Sequence, residues 1–445
     1  MFGTSGIRGA YGETVEGRFA VTLGRAVGRA LSVESVVVGR DPRTTGELLS
    51  DALSTGLREV GCDVIDIGVA ATPTIARSVG WQDADLGVAV TASHNPPSDN
   101  GFKLWRPSGQ AIDGSQREAI TAALEADEKA LADWDDVGSA TRWGGAQEAH
   151  TDALVEAITL DSPPAVVVDV GNGAGGVTAD ALERLGCDVT TLNAQPDGRF
   201  PGRESEPTSE SLAALSTLVA ETGADVGVAH DGDADRMLAV DDHGEFVPGD
   251  ELLALFGRQL ATPGERVAAP VNTSVLVDDA LEAVGATVTR TRVGDGYVAD
   301  ATTESDVVFG GEPSGAWIWP AETLCPDGPL AACTLVELID DKVLLSAQRA
   351  ALPTYPLKRD SVQVEEKSGV FSRVEHEIGT QFEDVQTLDG VRVEMDEGWF
   401  LIRPSGTQPL IRITAEGRTD AACADYFDTA IAVVEAAIDE TARGE

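Results

Sequence analysis

An apolar run, Leu86 to Val90, ends abruptly in Thr91-Ala92-Ser93-His94-Asn95-Pro96, a loop of turn-forming residues. The loop carries a hydroxyl and an imidazole, and shortly after it, in Pro97-Ser98-Asp99-Asn100-Gly101-Phe102-Lys103, comes an ammonium. A strand that delivers Ser93, His94 and Lys103 to one loop suits covalent chemistry at a hydroxyl. Far downstream stands Asp231-Gly232-Asp233-Ala234-Asp235-Arg236. Its alternating carboxylates point the same way in an extended loop. Three carboxylates crowded without a cation would repel, and an all-oxygen set suits Mg²⁺. A calcium-binding helix–loop–helix is a poor fit, because its sixth position holds Arg236 rather than Gly and its twelfth Asp242 rather than Glu. Ser93 beside such a cation suits the carrying of a phosphoryl group.

Two further loops follow expected strands. Gly310-Gly311-Glu312-Pro313-Ser314-Gly315 offers an acceptor and a donor for sugar hydroxyls. Arg403-Pro404-Ser405-Gly406-Thr407 combines a guanidinium, hydroxyls and glycine-freed backbone N–H groups, a cradle for phosphate. Gly171-Asn172-Gly173-Ala174-Gly175-Gly176 matches the spacing of a dinucleotide-binding turn. The strand after it, Val189 to Leu192, ends in Asn193 rather than an acid, so a tight strand-to-helix turn is the better reading. Ser93 lacks the flanking glycines of a hydrolase elbow.

These loops need a scaffold. At 445 residues the chain calls for more than one core. Helix-like segments end at Gly61, Gly186 and Gly285, each before a β-branched run. Strands Ser35 to Val38, Ala165 to Val170 and Arg266 to Pro270 lie upstream. Leu53, Leu57 and Val60 share a helical face. Strand, helix, glycine, strand predicts three related α/β domains with mixed, mainly parallel sheets. A small C-terminal α+β domain follows, with strands Val391 to Met395, Trp399 to Arg403 and Leu410 to Ala415. Its closing helix carries Phe427, Ile431, Val434 and Ile438 on one stripe. The expected divisions are 1–145, 146–245, 246–352 and 353–445 around a central cleft. Pro353 to Pro356 is the first linker candidate and Thr141 to Gln147 the second.

The formal net charge is -43, and the only lysines are Lys103, Lys129, Lys342, Lys358 and Lys367. Such a surface repels itself at low salt, so the expectation is a halophilic protein of a high-salt cytoplasm. The charge disfavours nucleic acid and anionic membrane as partners. Any anion site then needs local arginines or a metal. Five scattered cysteines without a C-x-x-C pair fit buried thiols in a reducing compartment. The N-terminus does not read as a secretory signal, and no apolar run is long enough to span a bilayer. Nothing in the sequence specifies an oligomeric state.

Taken together, in order and across the whole chain, these motifs resemble the α-D-phosphohexomutase family. Phe2 to Gly9 looks like its opening motif, and Gly39-Arg40-Asp41-Pro42-Arg43 like its first arginine loop. The resemblance implies that Ser93 is phosphorylated and that its phosphate, with Asp231, Asp233 and Asp235, holds Mg²⁺. It implies that Arg8, His94, Lys103 and Arg236 surround the transferring phosphoryl group. Glu312 and Ser314 would read ring hydroxyls; Arg403, Ser405, Gly406 and Thr407 would hold the distal phosphate. The implied reaction interconverts hexose 6-phosphate and hexose 1-phosphate through phosphoserine and a bisphosphorylated sugar, with hexose 1,6-bisphosphate for priming. Glucosamine phosphate leads, because Gly311 to Gly315 looks like the loop of archaeal phosphoglucosamine mutases; mannose and glucose phosphates stand as alternatives. Ala316 replaces a frequent histidine, Gln408 a usual Glu, and Arg292 and Gly296 a usual Lys and a common Arg. A metal-dependent sugar phosphatase is the rival from another reaction class, and a sugar-phosphate binding protein that has lost chemistry the rival outside enzymes.

Overall fold

The computed structural model describes residues 3, 6–126, 131–340, 343–405 and 409–443. The first body is built from β1 (Ile7–Ala10), α1 (Gly17–Leu31), β2 (Ser35–Arg40), α2 (Gly46–Arg58), β3 (Asp63–Val69), α3 (Thr72–Trp81), β4 (Leu86–Val90), β5 (Asp99–Trp105), α4 (Gly114–Ala126) and β6 (Ala140–Arg142). Its sheet runs β1-β5-β4-β2-β3-β6. The β2, β3, β4 and β6 pairings are parallel, and β5 is antiparallel to both β1 and β4. Every residue of β4 is buried, as expected for a strand covered by helices on both faces. Helix α1 buries Ala20, Leu23, Ala26 and Val27, a stripe of helical spacing. It crosses α2 closely: a Cβ on Gly56 would lie 2.0 Å from the Val21 carbonyl oxygen, and one on Gly24 2.4 Å from that of Leu53. Only glycine allows that approach.

The second body comprises α5 (Ala146–Ala157), β7 (Ala165–Asp169), α6 (Gly176–Arg184), β8 (Asp188–Leu192), α7 (Ala213–Thr222), β9 (Val226–His230), β10 (Met237–Val240) and β11 (Phe246–Val247), in the order β11-β10-β9-β7-β8. The third comprises α8 (Gly249–Leu260), β12 (Arg266–Pro270), α9 (Val275–Glu282), β13 (Thr287–Thr291), α10 (Asp295–Ala301), β14 (Val307–Gly311), β15 (Trp317–Ile318), α11 (Gly328–Ile339) and α12 (Leu345–Ala350), in the order β13-β12-β14-β15. One hydrophobic core runs through both, joining Val166 and Val228 to Phe256, Phe309 and Trp317. The last body comprises β16 (Leu357–Gln363), α13 (Lys367–Gln381), β17 (Val385–Gln386), β18 (Val391–Met395), β19 (Gly398–Pro404), β20 (Leu410–Gly417) and α14 (Asp420–Arg443). Its sheet, β16-β20-β19-β18-β17, is antiparallel throughout, with α13 and α14 sharing its core. The architecture is three α/β bodies with mixed, mainly parallel sheets plus a small α+β body.

Four features differ from what the sequence alone led one to expect. Thr141 and Arg142 are not linker: they pair with Ile65 and Asp66 as an added parallel strand. Lys103 leaves the serine loop for β5, opposite Ala89 of β4. The turn-forming residues before it mask a strand buried on both faces: Phe102, Lys103, Leu104 and Trp105 are all buried, and Gly101 admits β1. The charged stretch after Pro356 is strand β16, an edge whose residues are mostly exposed. In α14 the buried stripe centres on Tyr426, Ala430, Val433, Val434 and Ala437, leaving Phe427, Ile431 and Ile438 half-buried at its margins.

Glu416 of β20 ties the last body to the third. Its carboxylate is 1% exposed and accepts from the Ser274 hydroxyl, from the Val275 N–H at 2.8 Å and from Trp399 Nε1 at 2.8 Å. Glu416→Ala strands those donors and lowers stability by about 3 kcal/mol, read as a drop in the urea midpoint. An unchanged midpoint would remove this latch. All five cysteines are free and buried, and no described helix is long and apolar enough to cross a membrane.

Candidate active site

Ser93 sits at the end of β4 in a left-handed conformation, φ 53°, which turns its hydroxyl out of the strand line. The turn is held from below. The Ser93 N–H donates to Thr91 Oγ1 at 2.8 Å, and that hydroxyl donates to Asp41 Oδ2 at 2.6 Å. Arg43, with a fully buried side chain, laces the loop. Its Nη2 donates to the carbonyls of Ser93 at 2.7 Å and Asn95 at 2.6 Å, and its Nη1 to those of Pro96 at 2.5 Å and Asp99 at 2.9 Å. Ser93 is therefore preorganised by the arginine loop.

The acidic loop reaches Ser93 from the second body. It joins β9 to β10, and Ala234 inside it is also left-handed, φ 55°. The Ser93 hydroxyl donates to Asp231 Oδ2 at 2.7 Å across 138 residues of chain. His230 closes the loop: its Nδ1 lies 2.8 Å from the Arg236 carbonyl and its Nε2 2.7 Å from Thr178 Oγ1. Arg203 Nη2 donates to the His230 carbonyl at 2.6 Å. The turn 171–176 packs beneath. A Cβ on Gly173 would fall 2.7 Å from the Gly232 carbonyl oxygen, so its glycines make room for the acidic loop rather than for a dinucleotide.

Asp231, Asp233 and Asp235 are buried, with candidate ligand oxygens within 4.8 Å of one another. Asp233 Oδ1 and Asp235 Oδ1 have no hydrogen-bond partner among the described residues. Buried bare carboxylate oxygens converging on one point fit a hard divalent cation such as Mg²⁺. Burial, with Asp233 and Asp235 beside it, pushes the Asp231 carboxyl well above its ordinary range. Asp233 goes the other way: against burial, Lys103 and the Thr72 hydroxyl hold it low.

Lys103 Nζ donates to Asp233 Oδ2 at 2.8 Å and to Asp235 Oδ2. Burial opposes its charge, yet those two carboxylates hold its pKa above the ordinary lysine range. It is a fixed cation here, not a lysine tuned down for proton exchange. His94 Nδ1 lies 3.4 Å from Ser93 Oγ. Burial, then Arg236, Arg8 and Lys103, push the His94 pKa down to about 2, so the ring is neutral. Arg8, on β1, has a buried Nε with no partner among the described residues and contributes to the field on His94 and Lys103. Arg236 lies 3.4 Å from Glu206. Ser93, Arg8, His94, Lys103, Arg236 and the three aspartates thus form one constellation.

Glu312 and Ser314 reach it through the backbone. Ala316, next in that loop, bridges to Arg236, and the Met237 N–H donates to the Gly315 carbonyl at 2.9 Å. Ser314 Oγ lies 3.3 Å from Glu312 Oε2, and Glu312 Oε1 accepts from the Gly294 N–H at 2.6 Å. The adjacent Val293 N–H donates to Asp389 at 3.0 Å, and Asp389 pairs with Arg403 at 3.2 Å. A continuous polar chain thus runs from Arg236 to Arg403. The Ser405 carbonyl accepts from Lys367. Gly406 and Thr407 lie outside the described residues.

Sequence reasoning missed Arg412. It stands opposite Arg403 on β20, and the two line a cavity of about 460 Å³ with Arg359 and Asn272. Only the hairpin register puts the two arginines opposite each other. Thr72 was missed as well, because its partner Asp233 lies far along the chain.

Four family models match. They are described as phosphoglucomutase/phosphomannomutase alpha/beta/alpha domains I, II and III and C-terminal domain, and cover residues 1–131, 148–244, 248–355 and 361–433. A protein of Methanococcoides burtonii named "Probable phosphoglucosamine mutase" is 45% identical, over 95% of this chain and 96% of its own length. One of the same name from Methanopyrus kandleri is 42% identical, over 99% of this chain and 98% of its own length. A crystal structure of a phosphoglucomutase/phosphomannomutase family protein from Burkholderia thailandensis superposes with a TM-score of 0.89 at 28% identity, covering 98% of each chain.

Proposed function

Because the chain belongs to the phosphoglucomutase/phosphomannomutase family of α-D-phosphohexomutases, we propose that it converts glucosamine 6-phosphate to glucosamine 1-phosphate. The observation that carries the site assignment is the Ser93 hydroxyl 2.7 Å from Asp231, in the field of the buried Lys103 and the half-buried Arg8 and Arg236. The sugar assignment rests on the names of the full-length relatives at 42–45% identity.

In this reading Ser93 carries the phosphoryl group. It passes to the free hydroxyl of a sugar monophosphate, the bisphosphorylated sugar turns over in the cleft, and its other phosphate returns to Ser93. Asp231, Asp233 and Asp235, with Ser93, would hold Mg²⁺, which when bound supplies positive charge against the phosphoryl oxygens. Arg8, Lys103 and Arg236 supply fixed charge around the group in flight. Neutral His94 can exchange hydrogen bonds with the Ser93 oxygen without adding charge. Glu312 and Ser314 orient the ring through its hydroxyls. Arg403, joined here by Arg412 and with Ser405, Gly406 and Thr407, anchors the phosphate that is not reacting. Hexose 1,6-bisphosphate primes a dephosphorylated serine. We assign these parts to segments 1–145, 146–245, 246–352 and 353–445. Ala316 leaves no histidine at its position to act as acid or base.

The test is a comparison of kcat/KM for the 1- and 6-phosphates of glucosamine, glucose and mannose. Glucosamine phosphates are expected to lead by roughly tenfold or more. Equal use of glucose or mannose phosphate would replace the sugar assignment. Release of inorganic phosphate without isomer would make the protein a phosphatase.

The net charge of -43 supports a protein of a high-salt cytoplasm. Raising KCl from 0.1 to 2 M is then expected to lift the melting temperature by roughly 5–10 °C as repulsion is screened. A melting temperature that is flat or falls with salt would end that reading.

A further inference from the structure

We propose that Thr72, at the start of α3 in the first body, is a positioning residue that decides which oxygen of Asp233 faces the cation. Thr72 is completely buried. Its backbone N–H, one of the donors that a helix start leaves without an internal partner, donates to the Asp233 carbonyl at 2.8 Å. Its hydroxyl donates to Asp233 Oδ2 at 2.6 Å. Lys103 donates to the same oxygen at 2.8 Å. Oδ2 is thereby occupied by two donors from the first body, while the buried Oδ1 has none among the described residues. The oxygen with free lone pairs is the better ligand, so Oδ1 is the one turned to the metal.

Asp235 repeats the division with Lys103 alone: its Oδ2 takes the ammonium and its Oδ1 is bare. Thr72 differs in gripping both the backbone and the side chain of a ligand from another body. Cation affinity then depends on how the first and second bodies dock. Without the hydroxyl, Asp233 is free to turn and share both oxygens with Lys103. Threonine, unlike valine of the same shape, holds it.

The inference rests on the reading of the three aspartates as a cation site. The test is Mn²⁺ binding by electron paramagnetic resonance on full-length wild-type, Thr72→Val and Thr72→Ser proteins, with circular dichroism as the fold check. Thr72→Val is expected to bind Mn²⁺ about 10–100-fold more weakly. Thr72→Ser is expected to stay within about threefold of wild type, since it keeps the donor. Sugar-phosphate KM at saturating metal is expected to be unchanged in both. If Thr72→Val does not fold, Thr72→Ala takes its place against Thr72→Ser. Equal Mn²⁺ affinity in the wild type and the variant lacking the hydroxyl overturns the inference. So does a Thr72→Ser protein as weak as that variant. A wild-type protein that binds no Mn²⁺ removes the cation site itself, a separate result.

Discussion

Ser93→Ala protein folds, and it converts no hexose 6-phosphate to the 1-phosphate in a coupled assay; the expected loss is on the order of 10⁴-fold or more. Among the described residues the Ser93 hydroxyl is the only hydroxyl that donates to Asp231, and the neighbouring Thr91 hydroxyl is committed to Asp41. The loop survives the change because its order comes from Arg43 and the Thr91 side chain, neither of which touches the Ser93 hydroxyl. The left-handed φ of 53° is as costly for serine as for alanine, so the substitution adds little strain. Mass spectrometry after incubation with hexose 1,6-bisphosphate supplies the second reading: a phosphopeptide spanning Ser93 in wild type and none in the variant. Activity within 100-fold of wild type would falsify the assignment.

Exhaustive treatment with a chelator lowers turnover by about 10³-fold or more, and added Mg²⁺ restores it. The physical ground is the set of buried carboxylates whose charges Lys103 balances only in part. Lys103 satisfies one oxygen each of Asp233 and Asp235, leaving the other oxygens bare. A cation held by such a site binds the folded protein and not the unfolded chain. Saturating Mg²⁺ at 100 times its dissociation constant therefore adds about 2.7 kcal/mol of stability, visible as a higher melting temperature. Full activity after chelation, with no shift in melting temperature on adding Mg²⁺, would sink the cation site.

Much of this was readable in the residues. Leu86 to Val90, Ser35 to Val38 and Ala165 to Val170 announced strands because buried strands are runs of apolar, β-branched side chains, and each falls on a strand of a sheet. The glycines at 61, 186 and 285 marked helix ends because each has a positive φ that other residues resist. What escaped was carried by weaker signals. β16 is an exposed edge strand, so its charged residues show no apolar alternation. β6 is three residues long and entirely exposed, which left Thr141 looking like linker. Lys103 lay hidden behind turn-forming residues that end in a strand.

By itself the sequence determined the kinds of chemistry present: a serine after a buried strand, alternating aspartates, a rare lysine, and loops of arginine, hydroxyl and glycine. These are local facts, fixed by residue type and by period along the chain. The tertiary structure alone decided which of them meet. Ser93 finds Asp231 across 138 residues, Thr72 finds Asp233 across 161, and Arg412 comes beside Arg403 through a strand register. It also decided protonation, keeping Lys103 charged and His94 neutral, because burial and neighbouring charges belong to the packed site rather than to the residues that compose it.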